Sequence, residues 1–227
     1  MGFPEGLRHR PLLFVEDLDR PRLTDADYHH FRRVLRVEEG AVIVVGDGAG
    51  GWREARFGPT PEPTGPLGRA PAVDQPLTVA FTPVKGTRPE WVVQKLTELG
   101  VDHIALVETE RSVVRIEPKR WVRQRERLAG VAREACLQAR RLTLPTVADP
   151  MPLARFLDEQ PTAVLADPDG RAPGAADRVL VVGPEGGFSA SELSGRATVR
   201  LPGHILRAET AAVTGAGLLT AIRAGLV

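Results

Sequence analysis

The stretch "VVGPEGGFSASEL", residues 181–193, indicates both the fold class of this chain and the place of a site. An apolar run enters a glycine turn, and Ser189 with Glu192 three residues later forms a capping-box pattern that predicts a helix start. Such turns often cradle phosphate, because backbone N–H groups and helix N-termini favour an anion. Glu185 would repel a phosphate. The turn therefore predicts either another kind of ligand or a structural turn without a ligand.

Strands and helices alternate on both sides of this stretch. "LTVAF" (77–81), a helix from Pro89 to Gly100, and "HIALV" (103–107) form one βαβ unit. The series continues with predicted helices at 119–139 and 152–159 and predicted strands at 162–166, 178–183 and 197–201. Because the strand segments are continuous apolar runs, they predict a parallel sheet buried on both faces, and hence an α/β fold.

A segment rich in proline and glycine divides the chain. Residues 58–76 contain six prolines and three glycines, more than a packed element tolerates. We place the boundary at residue 74, which gives a first domain at 1–74 and a second at 75–227. Short apolar runs and the helical stretch "DADYHHFRRVLR" (25–36) predict a small β-barrel with one helix in the first domain.

The composition is that of an ordinary globular protein. The 227 residues are 42% hydrophobic with a formal charge of +1, which indicates nothing about partners. No apolar run approaches the roughly 18 residues that a membrane span needs, and residues 1–20 lack a secretory signal, so we expect a cytoplasmic protein. The single cysteine, Cys136, predicts neither a disulfide nor a metal site.

Two loops follow late strands, at 183–192 and 201–217. In a parallel sheet both would open on the edge formed by the carboxyl ends of the strands, which makes them candidates for one site. Neither contains the dinucleotide or Walker pattern, a second argument against phosphate. In the second loop Ile205 and Leu206 precede Arg207. They suit a flat, mostly uncharged ligand such as adenine, or they anchor the loop to the core.

These loops carry a resemblance to a known family. "VVGPEGGFSASEL" followed by "LPGHILRAETAAV" is similar to the SPOUT class of RNA methyltransferases, which depend on S-adenosyl-L-methionine (SAM). The particular match is to the RsmE family, the bacterial 16S ribosomal RNA uracil-N3 methyltransferases. "HFRRVLR" (30–36), "GDGAG" (46–50), "VKGTRPEWVVQKLTELGV" (84–101) and "EACLQARRLTLP" (134–145) extend the likeness over nearly the whole chain.

The resemblance implies a PUA-like, RNA-binding β-barrel before a SPOUT domain with a deep trefoil knot. It also implies a homodimer joined through the region of the final helix. The knot loops of such proteins hold SAM, whose sulfonium and ammonium groups make the Glu185 carboxylate acceptable where phosphate would be repelled. Carried onto this chain, the cofactor residues are Leu165, Gly183, Pro184, Glu185, Gly186, Leu201, Pro202, Ile205, Leu206 and Thr210.

The resemblance also implies roles in methyl transfer and RNA binding. Uracil N3 must lose a proton, which Arg207 cannot accept because a guanidinium stays protonated. We therefore assign Arg207 to the base carbonyls and the developing anion, with an ion pair to Glu209 as the alternative; the general base is unidentified. The expected partner is 16S rRNA or the assembled small subunit, and the candidate RNA contacts are His30, Arg32, Arg33, Arg36, Lys85, Arg88, Gln138 and Arg141.

Some positions depart from the family pattern. Leu137 and Arg140 stand where family members commonly have glutamate and glycine. Pro202 with Gly203 replaces the usual Leu-Gly, and His204 replaces an arginine. These changes leave two other hypotheses: an RNA-binding protein that keeps the SPOUT fold with weakened catalysis, and an α/β enzyme that binds a nucleotide through the glycine turn.

Overall fold

The computed structural model describes residues 5–7, 9–83 and 88–227. The chain divides into two compact units. The first comprises Met1–Val73 with Cys136–Leu144, and the second comprises Asp74–Ala135 with Pro145–Val227. The segment Cys136–Leu144 lies far along the sequence yet belongs to the first unit.

The first unit contains a mixed five-stranded sheet. Its strands are β1 (Leu12–Phe14), β2 (Val42–Gly46), β3 (Gly51–Arg56), β4 (Glu62–Pro63) and β5 (Gly68–Arg69). The order is β1-β2-β3-β4, and β5 also pairs with β3. Only the β1–β2 pairing is parallel among these strands. A 3-10 turn, Glu5–Leu7, precedes the sheet, and helix α1 (Asp25–His29) continues into a π-helical turn, His30–Val34.

Aromatic rings fill the core of the first unit. The Phe57 ring lies 5.5 Å from the Tyr28 ring and 5.6 Å from the Phe31 ring, centroid to centroid. A second cluster brings Cys136 and Leu142 against apolar side chains of β1 and β2. Burial raises the pKa of the Cys136 thiol to about 11, so this cysteine packs as an apolar side chain.

The long helix α3 (Pro118–Ala139) ends in a left-handed residue. Arg140 has a φ of 57°, and the Arg141 N–H donates to the Cys136 carbonyl at 2.9 Å, which is a Schellman-type ending. Glycine is favoured at this position because it has no Cβ. The Arg140 guanidinium donates to the Leu137 carbonyl at 2.7 Å, and burial lowers its pKa. The departure from glycine at 140 thus places a side chain where the backbone prefers none.

We expect Arg140→Gly to raise the free energy of unfolding by about 0.5–1 kcal/mol, because it removes the left-handed strain of a side-chain-bearing residue. Urea unfolding would measure this change. Arg123→Gly, at an exposed position within α3, is the matched control and should lower stability by about 1 kcal/mol. If both variants lose the same stability, Arg140 is not under backbone strain.

The second unit is built on a parallel sheet. Its strands are β6 (Thr78–Phe81), β7 (His103–Glu108), β8 (Thr146–Val147), β9 (Met151–Pro152), β10 (Val164–Arg171), β11 (Val179–Val182) and β12 (Thr198–Val199). The order is β12-β10-β11-β6-β7-β8, with β9 also on β7. Every pairing among them is parallel, which confirms the predicted α/β fold.

Helices cover both faces of this sheet. They are α2 (Arg88–Glu98), α3, α4 (Leu153–Glu159), the short α5 (Ala190–Leu193) and α6 (Ala208–Arg223). Val79 and Phe81 pack in one buried cluster and Ala80, between them, packs in another. This alternation of fully buried residues explains why the strand reads as a continuous apolar run.

Strand β10 curls around β12. The Leu165 N–H donates to the Ala197 carbonyl at 3.0 Å, and the Arg200 N–H donates to the Arg171 carbonyl at 2.8 Å. Between these bonds the register shifts, and a Cβ on Gly170 would lie 2.6 Å from backbone atoms of Val199. The strand predicted to end at 166 therefore continues to Arg171. The last residues of β10, "DPDGR" (167–171), have the polar, proline- and glycine-containing composition that is typical of a turn.

An ion pair closes the loop that follows β10. The Arg171 guanidinium donates two hydrogen bonds of 2.7 Å to Asp177, and the Gly174 N–H donates a third of 2.7 Å. Asp177 is buried, whereas Arg171 is exposed. The hydrogen bonds from Arg171 lower the pKa of Asp177 and favour its charged form.

We expect Asp177→Asn to lower the free energy of unfolding at neutral pH by about 2–3 kcal/mol, since the buried side chain loses its charge and with it the charge-assisted hydrogen bonds from Arg171. The folded-state pKa of Asp177 lies below the unfolded value. Its contribution is therefore complete above about pH 4 and is lost as the pH falls through the folded pKa. Urea unfolding from neutral to acid pH should show the wild type approaching the variant.

Asp169→Asn is the control for this series, since Asp169 is exposed in β10, two residues before Arg171. It should change stability by less than about 0.5 kcal/mol. A wild-type advantage over Asp177→Asn that stays constant down to pH 2 or so would contradict the assigned linkage.

Candidate functional site

The glycine turn follows β11 directly. The Gly187 N–H donates to the Pro184 carbonyl at 2.8 Å, and Gly187 has a φ of 67°. A Cβ on Gly183 would lie 3.0 Å from the buried Phe188 ring. Glycine at 187 thus permits the turn, and glycine at 183 permits the close approach of the ring. Glu185 and Gly186 are exposed at the tip.

The helix that follows the turn begins with the predicted capping box. The Ser189 hydroxyl accepts from the Glu192 N–H at 3.2 Å, and the Glu192 carboxylate accepts from the Ser189 N–H at 2.8 Å. The predicted helix start at Ser189 is therefore confirmed. The second oxygen of Glu192 accepts from the Glu110 N–H at 2.8 Å.

The loop after β7 is bonded to the glycine turn. Arg111 donates to the Gly186 carbonyl at 2.7 Å, and the Ser191 hydroxyl donates to Glu110 at 2.9 Å. Hydrogen bonds with the Ser189 and Ser191 hydroxyls lower the pKa of Glu110. Glu110 and Arg111 were not among the predicted site residues. Their position just beyond the end of a buried parallel strand was the available signal.

The second loop follows β12. Leu201 is half-buried: a Cβ on Gly215 of α6 would lie 3.4 Å from its side chain and would also collide with Leu180 of β11. Leu206 packs partly against the main core cluster, whereas Ile205 is 81% exposed. The buried part of Leu206 thus anchors the loop and leaves the rest of its side chain accessible, whereas Ile205 fits a ligand surface.

Arg207 occupies the N-cap position of α6 and is exposed. Within the described part of the chain its side chain has no hydrogen-bond or ion-pair partner, so the alternative of an ion pair with Glu209 is not seen. Pro202 and His204 are exposed in the same loop, and Thr210 is exposed in the first turn of α6.

The sheet brings the two loops to one edge. β10 separates β11 from β12, so the ends of these two strands lie about 10 Å apart. Helix α6 contacts β6 and β11, so residues 200–207 carry the chain from the β12 edge back towards β11. The second loop therefore starts at the same sheet edge as the glycine turn and leads into a helix that packs on β11. Leu165 lies fully buried in β10, between the two strands.

The candidate RNA residues lie in several places. In the first unit His30, Arg32, Arg33 and Arg36 are exposed, together with the apolar side chains of Val34 and Leu35. Also in that unit, Gln138 is exposed and Arg141 is half-buried. Lys85 lies outside the described residues, as does the side chain of Arg88.

Residues 5–7, 9–83 and 88–227 contain neither a candidate metal site nor a candidate membrane-spanning helix. No group of three or more His, Cys, Asp or Glu residues in these ranges is placed to hold a metal ion. The helices described there are all too short or too polar to cross a membrane.

Family models and relatives identify the chain. The model of an RNA methyltransferase domain matches residues 72–220, and that of an RNA methyltransferase PUA domain matches residues 23–58. The chain belongs to the RNA methyltransferase family. A Synechocystis relative named ribosomal RNA small subunit methyltransferase E is 30% identical over 88% of this chain and 72% of that protein. A Mycobacterium bovis relative with the same name is 32% identical over 83% and 81%.

Solved structures of family members agree with this assignment. A Legionella pneumophila methyltransferase in complex with SAM matches with a TM-score of 0.78 and 26% identity, covering 94% of this chain and 98% of that one. A ribosomal RNA small subunit methyltransferase E from Neisseria gonorrhoeae, bound to SAM, has a TM-score of 0.76 and 26% identity over 95% and 98%. The resemblance to the RsmE family is thereby confirmed.

Proposed function

We propose that this chain transfers a methyl group from SAM to N3 of a uridine in the 16S rRNA of the small ribosomal subunit. The observation that carries the proposal is that the glycine turn and the 201–207 loop both follow parallel strands at the same edge of the sheet. Two relatives with the same fold were crystallised with SAM, and relatives similar over most of the chain are named for the small-subunit rRNA.

The chemistry of the two loops fits this cofactor. Ile205, Leu201 and Leu206 offer apolar surface for an adenine ring, and the glycine turn offers backbone without side chains. The exposed Glu185 carboxylate suits a cationic ligand and disfavours phosphate. We assign cofactor contacts to Gly183, Pro184, Glu185, Gly186, Leu201, Pro202, Ile205, Leu206 and Thr210. Leu165 is fully buried and supports the floor beneath them.

Arg207 stabilises the negative charge that develops on the base in the proposed reaction. When bound, SAM supplies an activated methyl carbon, so the protein has to position the nucleophile and stabilise charge. Because the Arg207 guanidinium has no partner among the described side chains, its donors are available to the carbonyl oxygens of a base. These oxygens gain negative charge as N3 loses its proton, and fixed donors at such positions typically contribute about 3 kcal/mol.

The first unit is the proposed RNA-binding domain. We propose that its mixed sheet closes as a PUA-like barrel and that His30, Arg32, Arg33 and Arg36 contact phosphates. Val34 and Leu35, exposed among these basic side chains, offer apolar surface to an unstacked base. Gln138 and Arg141 of the first unit are further proposed RNA contacts. Lys85 and Arg88 of the second unit are proposed RNA contacts in their own right.

We also propose a trefoil knot, a homodimer and a cytoplasmic location. The wrapping of β10 around residues 197–200 and the return of α6 over β11 support a threaded C-terminal segment. Val213, Gly217, Leu218 and Ala221 of α6 are only half-buried and could face a second copy of the chain. The cytoplasm is where a small ribosomal subunit would be available.

Two assays test the function. Isothermal titration calorimetry should show saturable binding of SAM and none of ATP. Binding of ATP alone would favour the hypothesis of a nucleotide enzyme. Transfer of radiolabelled methyl from SAM should then be measured on free 16S rRNA and on small subunits. SAM binding without transfer to either substrate would favour an RNA-binding protein with weakened catalysis.

A further inference from the structure

We propose that Arg111 is a positioning residue that holds the glycine turn in the shape required by the cofactor. The identity of the ligand, SAM, rests on the proposed function, whereas the contacts of Arg111 with the turn do not depend on that function. Arg111 lies on the loop after β7, separated from the turn by 75 residues of sequence.

Arg111 fixes one peptide group from one side while the turn fixes it from the other. The peptide between Gly186 and Gly187 has its carbonyl bonded by Arg111 at 2.7 Å and its N–H bonded to the Pro184 carbonyl at 2.8 Å. With both polar groups held, this peptide plane cannot rotate without breaking a hydrogen bond. Glycine residues on both sides would otherwise permit such rotation easily.

Side-chain packing does little to hold the tip of the turn. A Cβ on Gly187 would meet no atom within 4 Å, and Glu185 and Gly186 are exposed. The nearest side chain to a Cβ on Gly186 would be Arg111 itself, with its Cδ at 3.7 Å. The tip thus depends on hydrogen bonds, and the Arg111 stem is the surface on which Gly186 lies.

The Glu192 carboxylate places Arg111 for this role. Its two oxygens accept from the Ser189 N–H and the Glu110 N–H, both at 2.8 Å. One carboxylate therefore joins the end of the glycine turn to the residue before Arg111. Two adjacent residues of the β7 loop thus hold the turn. Arg111 bonds to Gly186 directly, and Glu110 is joined to Ser189 through the Glu192 carboxylate.

The experiment compares Arg111→Met, which keeps an apolar stem but loses the donors, with Arg111→Lys and with Arg115→Met. Arg115 is the matched control, since it is an exposed arginine of the same loop that pairs with Glu108 instead of the turn. Amide hydrogen exchange at Gly187 is measured in the free protein by NMR, and the Kd for SAM by calorimetry.

We expect Arg111→Met to speed exchange at Gly187 about tenfold and to weaken SAM binding about tenfold, with the apo Tm nearly unchanged. Arg111→Lys should recover part of both effects, and Arg115→Met should change each by less than about twofold. An unchanged exchange rate at Gly187 in Arg111→Met would overturn the inference, whatever the Kd of that variant for SAM. Faster exchange with an unchanged Kd for SAM would overturn it as well.

A failure of the proposed function is distinguishable from a failure of this inference. If the wild type does not bind SAM, the function is wrong, while the exchange rate at Gly187 still decides whether Arg111 holds the turn. If the wild type binds SAM and Arg111→Met binds it equally well, the function stands and the positioning role is wrong.

Discussion

Arg207→Ala should lower kcat for methyl transfer about 100-fold while changing the Kd for SAM by less than about threefold. The expected loss follows from removing donors that act on charge developing at the base, away from the cofactor. Arg207 is exposed and has no side-chain partner among the described residues, so its removal leaves no buried group unsatisfied. Folding should therefore be unaffected. Single-turnover kinetics with small subunits and calorimetry with SAM would measure both quantities.

Two further variants sharpen this prediction. Arg207→Lys keeps the charge but loses the planar fork, so we expect an intermediate kcat. Arg196→Ala removes an exposed arginine before β12 and should behave as the wild type. An equal loss of kcat and SAM affinity in Arg207→Ala would indicate a role in cofactor binding instead of charge stabilisation.

Gly170→Ala should lower the free energy of unfolding by about 3 kcal/mol. The added Cβ would lie 2.6 Å from backbone atoms of Val199, and a backbone cannot move aside as the end of a side chain can. The strain falls where β10 curls around β12, which is the crossing that supports the proposed knot. Urea unfolding would measure the change.

Gly174→Ala is the control for this crossing. A Cβ on Gly174 would meet no atom within 4 Å, and its φ is not in the left-handed region. We expect it to be neutral or slightly stabilising, since alanine restricts the unfolded chain. Equal stabilities for Gly170→Ala and the wild type would mean that β10 and β12 do not approach as closely as described.

The buried strands were predictable from the sequence, because a strand that is buried on both faces must be apolar at every position. The runs at 77–81, 103–107 and 178–183 became β6, β7 and β11 with shifts of at most one residue at their ends. Their residues lie against helices on both faces, so apolar side chains are required at every position. The capping box at Ser189 was predictable because both partners are local and three residues apart.

Features that depend on contacts distant in sequence were not predictable. The bond from Arg111 to Gly186 joins residues 75 apart, and no local pattern marks it. The curl of β10 depends on β12 passing beside Gly170, so residues 167–171 read as a turn in isolation. The membership of Cys136–Leu144 in the first unit likewise arises from packing on strands far earlier in the chain.

Ile205 and Leu206 show how the site itself was only partly predictable. Both are apolar residues in a loop, for which the sequence favoured a ligand surface and left a core anchor as the alternative. The structure buries part of Leu206 and leaves Ile205 exposed. This difference depends on the return path of the chain towards α6. Periodicity cannot supply it, because residues 200–207 have no regular structure.

The most direct test of the account is nucleoside analysis of small subunits after incubation with the wild-type protein and isotopically labelled SAM. We predict label in 3-methyluridine at a single position of the 16S rRNA. Arg207→Ala should give about a hundredth of that label after the time in which the wild type completes one turnover. Label in a ribose or in another base, or no label from a protein that binds SAM, would contradict it.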